Sequence, residues 1–562
     1  MLKTWNLKKY DNDELEKIMK TYEVSELKAK MLMFRNIEFE DIGEFLHGTL
    51  DDLRDPYGIK DMDKLVERID KAIKNNELIC IYGDYDVDGV TSITVMYKFL
   101  TVHGARVMYY LPDRLVEGYG VNKGALDDIK SQGASLVITV DCGITAVEEV
   151  EYAKEIGLDI CITDHHECGE KLPDAIAVVD PKRKDSDYPF RLFAGVGVAF
   201  KTITALSMKY NYPKDDYMQY IDIVAVGTIS DIVPLIGENR IISRYGLQAM
   251  KNTQNIGLKA LMELTGYKEV DSMMVSFGLA PRINACGRMS SAYAAAKLLL
   301  AENPQEAVKI ADELDSLNDE RKNVEKVIYD DSLEMIESRH LQNANSIVLY
   351  NPSWHNGVIG IVASRLVAMY YKPVILLTKE NGTVRGSGRC PAGFSIYEAL
   401  TECKDKVIQF GGHELAAGLS LEESKIDEFI DAFEKVATEK KDGFAEQIID
   451  IDAEVSLKNL NGQLIKDIRE MKPYGQSNPQ PLFVYKGIKV QAIRTLKDDK
   501  HLKLVLKDNR SLIEAVGFSM GERRDELRIG DKVDILGIIE LNTFNNPPTI
   551  QFILQDFKKS VE

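Results

Sequence analysis

The rhythm of apolar and polar positions changes several times along the chain. Residues 1 to about 75 look helical and strongly charged, which predicts an N-terminal helical extension packed against the neighbouring domain. From about 76, short solid apolar runs take over. Glu77–Tyr82, Val107–Leu111, Leu136–Val140, Asp159–Thr163 and Ala175–Val179 read as buried strands, and Val90–Val102 as a helix after the first. Strands alternating with helices predict an α/β unit over 76–235 with a doubly wound parallel sheet, whose ligands sit at the carboxyl ends of its strands. Residues 236–344 read as a helical connector, closing in one or two long charged helices (ENPQEAVKIADELDSLNDERKNVEKVIYDDSLEMIESRH). A second α/β domain is expected over 345–445, opening with the strand SIVLY. Over 450–562, apolar and polar residues alternate between turns (YKGIKVQAIRTLKDDKHLKLVLKD, DKVDILGIIELN), which predicts a small β-barrel.

Three of the predicted strands end in acidic or imidazole groups: Gly83-Asp84-Tyr85-Asp86-Val87-Asp88-Gly89, Asp141-Cys142-Gly143, and Thr163-Asp164-His165-His166-Glu167. A further cluster, Gly227-Thr228-Ile229-Ser230-Asp231, lies beyond them. The first run has a rival reading as a calcium loop. That loop needs a bidentate Glu at its twelfth position, where this chain has Val95, and it needs a helix before it, where this chain has a buried strand. Any one cluster is compatible with turn chemistry or helix capping. Three on neighbouring strand ends of one sheet are not, because like charges so gathered repel unless cations neutralise them. Carboxylates with imidazole suit Mn²⁺ or Mg²⁺, and two such ions can clamp a phosphodiester and supply its hydroxide.

Composition qualifies this picture. The formal net charge of −19 opposes nucleic-acid binding if taken alone, so any such partner requires a local concentration of Lys and Arg. Seven cysteines (Cys80, Cys142, Cys161, Cys168, Cys286, Cys390, Cys403) form no CxxC pair, which speaks against a disulfide framework or a cysteine zinc site. No run of apolar residues is long enough for a membrane helix, and the first residues lack a signal-peptide core, so a cytoplasmic protein is expected.

The series GDYDVDG, VDCGI, TDHHE and VGTISDIVPL resembles the motif series of the DHH phosphoesterase family in order and spacing. The similarity continues through LAPRINACGRM, GVIGIVASRL, RGSGR and FGGHELAAG, covering about 76–560. It implies metal ligands at Asp86, Asp88, Asp141, His165 and Asp231, with Asp141 bridging two ions. Asp84 is left between direct ligand and support of the loop. His166 matches the histidine at the scissile phosphate, where a positive group stabilises developing charge. Asp164 is expected behind both histidines, fixing their tautomers. Catalysis is thus assigned to His166, Asp141 and Asp164.

For the substrate, Arg282, Asn284 and Arg288 read either as a phosphate clamp or as a solvated helix end. The glycines of RGSGR, like Gly412 in GGH, would let backbone N–H groups approach a phosphate as an anion nest. By resemblance, Ser364, Arg365, Arg385, Ser387, Arg389 and His413 hold the strand or its 5′ phosphate. Trp354 and Phe394 are open between base stacking and core packing. Between Lys486 and Arg510, eight basic residues stand against three acidic ones, a surplus of five that strand alternation would gather on one face of an OB-fold barrel. The resemblance implies a 5′→3′ exonuclease on single-stranded DNA acting in repair and recombination. It would be monomeric, with a single-strand-binding protein and a RecQ-like helicase as partners. The alternative is a phosphodiesterase of the same family acting on short oligonucleotides or small nucleotides.

Overall fold

The structure is a computed structural model that describes residues 3–113, 117–118, 120–380, 382–444, 446–509, 511–543 and 545–560. Its strands in chain order are β1 (Lys3–Leu7), β2 (Leu78–Gly83), β3 (Arg106–Tyr110), β4 (Ala134–Val140), β5 (Asp159–Thr163), β6 (Ala177–Val179), β7 (Ile347–Tyr350), β8 (Val374–Glu380), β9 (Thr383–Arg389), β10 (Gln409–Gly412), β11 (Ala416–Leu421), β12 (Gln447–Ile451), β13 (Ala453–Glu454), β14 (Phe483–Leu496), β15 (His501–Asp508), β16 (Ser511–Gly517), β17 (Lys532–Asn542) and β18 (Thr549–Lys559).

The first sheet has the order β3-β2-β4-β5-β6, with every pair parallel. Its strands are Val- and Ile-rich because both faces are covered. On one side Ile79, Ile81, Ile138 and Val140 pack with the helices Met62–Lys74, Val87–Val102 and Gly195–Tyr210. On the other, Cys80, Val137, Ile160 and Ile162 pack with the helices Lys123–Ser131 and Val147–Glu155. The chain leaves β2 for β3 on one side and then returns to β4 on the other. A topological switch point therefore lies between β2 and β4, where an open α/β sheet leaves a crevice at its carboxyl edge.

The charged connector segment is one 35-residue helix, Pro304–Ser338. Ala307, Ala311 and Leu314 at its start lie in the first core, and Ile328 and Ile336 near its end lie in the core of the second lobe. That lobe is a mixed sheet of order β10-β11-β9-β8-β7, parallel only between β7 and β8. The helix Asn356–Tyr370 covers one face, and the helices Ile396–Glu402 and Ile426–Glu439 cover the other. The C-terminal strands close a five-stranded barrel in the order β14-β15-β16-β18-β17 and back to β14, with β16 and β18 parallel and the remaining pairs antiparallel. This closed arrangement is consistent with an OB fold.

The N-terminal residues carry a long-range connection that local pattern does not announce. Strand β1 pairs in parallel with β12, more than four hundred residues away. Leu15, Ile18, Met31, Leu32, Phe45 and Leu46 then pack into the barrel's core. Arg35, fully buried, locks the joint by donating to Asp452 (2.8 Å), to Asn478 and to two backbone carbonyls. The barrel side is in turn fixed to the catalytic unit. Leu235 N donates to Gln476 O at 2.9 Å, and the guanidinium of Arg240 donates to the carbonyls of Phe45, Met471 and Lys472.

Candidate metal centre and substrate face

Strand β2 ends at Gly83, and the turn behind it runs straight into the helix Val87–Val102. Asp86 caps that helix, accepting from the N–H groups of Asp88 (2.9 Å) and Gly89 (3.1 Å). The turn is tight enough that a Cβ at Gly89 would stand 2.2 Å from the carbonyl oxygen of Asp84, so only glycine fits there. Asp88, one residue into the helix and 1% exposed, accepts from the N–H groups of Gly195 (2.6 Å) and Val196 (2.8 Å), which open the helix Gly195–Tyr210. Asp141 follows β4 at φ 61°, a conformation Asp tolerates. A Cβ at Gly195 would lie 2.5 Å from its own Cβ. Thus the glycine that starts one helix also admits the carboxylate that ends a strand.

These elements converge at the switch-point crevice. His165 Nε2 lies 3.0 Å from Asp141 Oδ1, 3.6 Å from Asp231 Oδ2 and 3.8 Å from Asp88 Oδ2. Ligand atoms of Asp88, His165 and Asp231 fall within 4.8 Å of one another, as do those of Asp84, Asp86 and Asp141, and those of Asp141, Asp164, His165 and His166. Both ring nitrogens of His165 are buried without a hydrogen-bond partner. Such orphaned nitrogens among carboxylates fit a divalent cation, which neutral imidazole and carboxylate oxygens together bind well.

The electrostatics agree. Burial, reinforced by Asp86, pushes the Asp88 carboxyl up to about 7. Burial and Asp88 push Asp231 up to about 9, and burial with Asp88 and Asp86 holds Asp141 well above the usual carboxylate range. Burial, together with the charge of His166, lowers His165 to about 3, so its ring is neutral and able to act as a ligand. His166 goes the other way: burial opposes its charge, but the hydrogen bond and charge of Asp164 outweigh it and lift it to about 9. Asp164 Oδ1 lies 2.7 Å from His166 Nδ1 and also accepts from the N–H groups of His165 and His166, while its Oδ2 accepts from Ile144 N–H. The expectation that Asp164 fixes both imidazoles is corrected here. It holds the His166 ring, but it meets His165 only at the backbone.

The predicted substrate residues divide. Arg288 donates to the carbonyl of Gly357, at the start of the helix Asn356–Tyr370, so it sits where the two lobes meet. Asn284 lies one turn earlier on the same helix, Ala280–Met289. Arg282 turns inward instead. Its guanidinium bonds Asp315 at 2.8 Å and the carbonyls of Gly278 and Leu264, which corrects its reading as a phosphate clamp. Arg365 is likewise engaged, with Glu325 at 2.8 Å and the Tyr329 ring 4.0 Å away, and the Ser364 hydroxyl bonds the Gly360 carbonyl of its own helix.

RGSGR is not an anion nest. It is β9, paired with β8 on one side and β11 on the other, so its N–H groups belong to ladders. Its glycines face the buried side under Leu377, Leu419 and Ile396. Alternation places Arg385, Ser387 and Arg389 together on the opposite face, beneath the helix that carries Gly360 and Ser364. Gly412 ends β10, paired with Ala417 of β11, and His413 opens the exposed turn between the two strands. Trp354 (5% exposed) and Phe394 (1%) are core residues.

On the barrel, Lys486 pairs with Glu454 and Lys503 with Glu514, and Arg510 lies outside the described residues. Lys489 stands directly opposite Lys507 of β15 and Lys532 of β17, so three lysines run abreast across adjacent strands. Like charges so placed repel, and a polyanion relieves them.

Two features escaped the reading of the sequence. One is the pair of amides at Gly195 and Val196, whose signal was a doubled glycine (GVGV) at a helix start. The other is Asp180, the residue after β6. It is buried, with one oxygen accepting from Lys182 N–H and the other unpartnered, and burial lifts it to about 7 despite that bond. The strand-end rule that found the other acids would have found it.

Comparison with known proteins places this geometry in a class. The DHH family N-terminal domain matches residues 78–228, and the DHHA1 domain matches residues 343–439. The fold is thus that of the DHH phosphoesterases. The match extends to the tail, where the RecJ OB domain covers residues 451–556. The chain is 38% identical over 560 residues to the single-stranded-DNA-specific exonuclease RecJ of Bacillus subtilis, spanning 98% of this chain and 70% of that protein. It is 31% identical to the Escherichia coli protein of the same name, over 88% of this chain and 90% of that one. The crystal structure of RecJ with Mn²⁺ from Thermus thermophilus superposes with a TM-score of 0.86 at 28% identity, covering all of this chain and 80% of that one. The chain belongs to the RecJ family. Among its described residues no helix is long and apolar enough to cross a membrane.

Proposed function

We propose that this protein removes nucleotides from the 5′ end of single-stranded DNA by metal-dependent hydrolysis, releasing 5′ mononucleotides in DNA repair and recombination. One observation carries the reading: a neutral His165 buried among Asp88, Asp141 and Asp231 at the switch point of a chain whose relatives are named single-stranded-DNA-specific exonucleases. Asp88, His165 and Asp231 would hold one divalent ion and Asp84, Asp86 and Asp141 a second, with Asp141 placed to be shared. Mn²⁺ and Mg²⁺ both suit this donor set, and similar proteins from Thermus thermophilus have been solved with each. When bound, such ions neutralise the carboxylates and polarise the phosphodiester.

The chain's own groups do the rest. His166, kept protonated and aimed by Asp164, donates to a phosphate oxygen as charge builds in the transition state. Arg288 at the joint of the lobes, with Asn284 behind it, and the β9 face of Arg385, Ser387 and Arg389 hold the 5′ phosphate. Gly412 and His413 border that face, while Ser364 and Arg365 shape its covering helix. The lysine row on the barrel tracks the backbone of the strand beyond.

The three matched segments support a catalytic domain (76–235), a DHH-associated domain (345–445) and an OB-fold domain (450–562), joined by a connector (236–344), while the N-terminal residues 1–75 divide between the barrel core and the catalytic core. The family reading also carries the partners, a single-strand-binding protein and a RecQ-like helicase, and a monomeric state. A cytoplasmic location is in keeping with seven free thiols.

The test is digestion of one single strand labelled at either end, with and without Mn²⁺. The 5′ label should leave first, as a mononucleotide, and only with metal. Loss of the 3′ label first, or a preference for a dinucleotide over the long strand, would overturn the reading.

A further inference from the structure

Ile232 comes directly after Asp231 and stands at φ 60°, and among the described residues it is the only β-branched side chain at positive φ. The helix Ile221–Ser230 ends here, with Asp231 as its cap and Ile232 just beyond. Helices that stop with a left-handed residue usually place glycine there, because a Cβ crowds the backbone and a branched one crowds it most. The turn is tied on both sides. Asp231 N donates to Gly227 O at 2.9 Å, and Leu235, 2% exposed, is tied to Gln476 O at 2.9 Å. Glycine would make the same turn without strain.

Ile232 does not serve core packing, because it is 70% exposed. It thus presents an aliphatic surface one residue from a carboxylate that lies 3.6 Å from His165 Nε2. Strain held in place beside a reacting centre is a mark of function. Of a nucleotide's parts, only the base face and the C–H edge of the sugar gain by covering such a surface.

We propose that Ile232 is a substrate-binding residue that rests against the nucleoside of the nucleotide being removed and adds affinity for it beside the ligand cluster. This rests on the reading of Asp231 as part of the hydrolytic centre.

Ile232→Ala and Ile232→Gly, with Asp231→Asn alongside, should be compared with wild type on a 5′-phosphorylated single strand in Mn²⁺. Both Ile232 variants should raise KM about tenfold, the factor that 1.4 kcal/mol represents, with kcat nearly unchanged. Ile232→Gly, freed of strain, should melt above Ile232→Ala. An abasic 5′ end that abolishes the KM penalty assigns the contact to the base, and one that keeps it assigns the contact to the sugar. Wild-type KM in both Ile232 variants, with only the melting temperature moved, overturns the proposal. Wild-type turnover by Asp231→Asn would instead overturn the reading of the hydrolytic centre.

Discussion

The metal centre and the β9 face of the second lobe are both built from polar side chains in glycine-rich sequence, yet they solve opposite problems. In the acidic cluster, Asp88, Asp141 and Asp231 are pressed together around a neutral His165, and His166, Lys182 and the amides of Gly195 and Val196 offset their charge only in part, since all three carboxyls stay raised. The protein leaves that charge to be met from outside. On β9, secondary structure satisfies the backbone, and three side chains project on one face by strand alternation alone. Buried like charge therefore identifies a ligand site by its own energetics, whereas glycine and arginine side by side do not say whether they form a nest or a strand.

Substitutions should separate the two regions. Asp141→Ala should lower Mn²⁺-dependent hydrolysis at least ~10³-fold, the upper scale for one electrostatic group in an active site. Single-strand affinity in a gel-shift assay should stay close to wild type. His166→Gln should lower kcat by roughly 10²-fold while calorimetric Mn²⁺ affinity holds, and a collapse of that affinity would move His166 into the ligand set. Arg389→Ala should raise KM about tenfold for 5′-phosphorylated strands and less for 5′-hydroxyl ones, since a bidentate phosphate contact of about 1.5–3 kcal/mol is lost. Arg282→Ala should leave that preference intact and cost roughly 1–3 kcal/mol of stability in thermal melting, because its partners are Asp315 and two carbonyls. The smallest effect belongs to the barrel. Lys489→Gln or Lys507→Gln should each reduce the slope of log K against log salt by about one.

Much of the acidic cluster was legible because parallel sheets bring strand ends together whatever lies between them. Asp84, Asp86 and Asp88 after β2, Asp141 after β4 and His165 after β5 needed only that rule. The amides of Gly195 and Val196 lie more than one hundred residues beyond the Asp88 they bind, and no local pattern signals that pairing. A still longer separation hid the β1–β12 pairing. RGSGR misled for a different reason: glycine's conformational freedom suggested a loop, whereas here glycine keeps the buried face of β9 flat under Leu377, Leu419 and Ile396. Arg282 was misread because charge alone does not reveal which way a helix turns its side chains.

On the proposed reading, buried carboxylates and a neutral histidine at the switch point form a two-ion hydrolytic centre. Calorimetric titration of Mn²⁺ into wild type and Asp141→Ala tests it most directly. Two ions should bind per wild-type chain, and the shared-ligand variant should lose at least one of them together with its activity. A wild-type chain that binds no Mn²⁺, or an Asp141→Ala chain that still binds two, would contradict it.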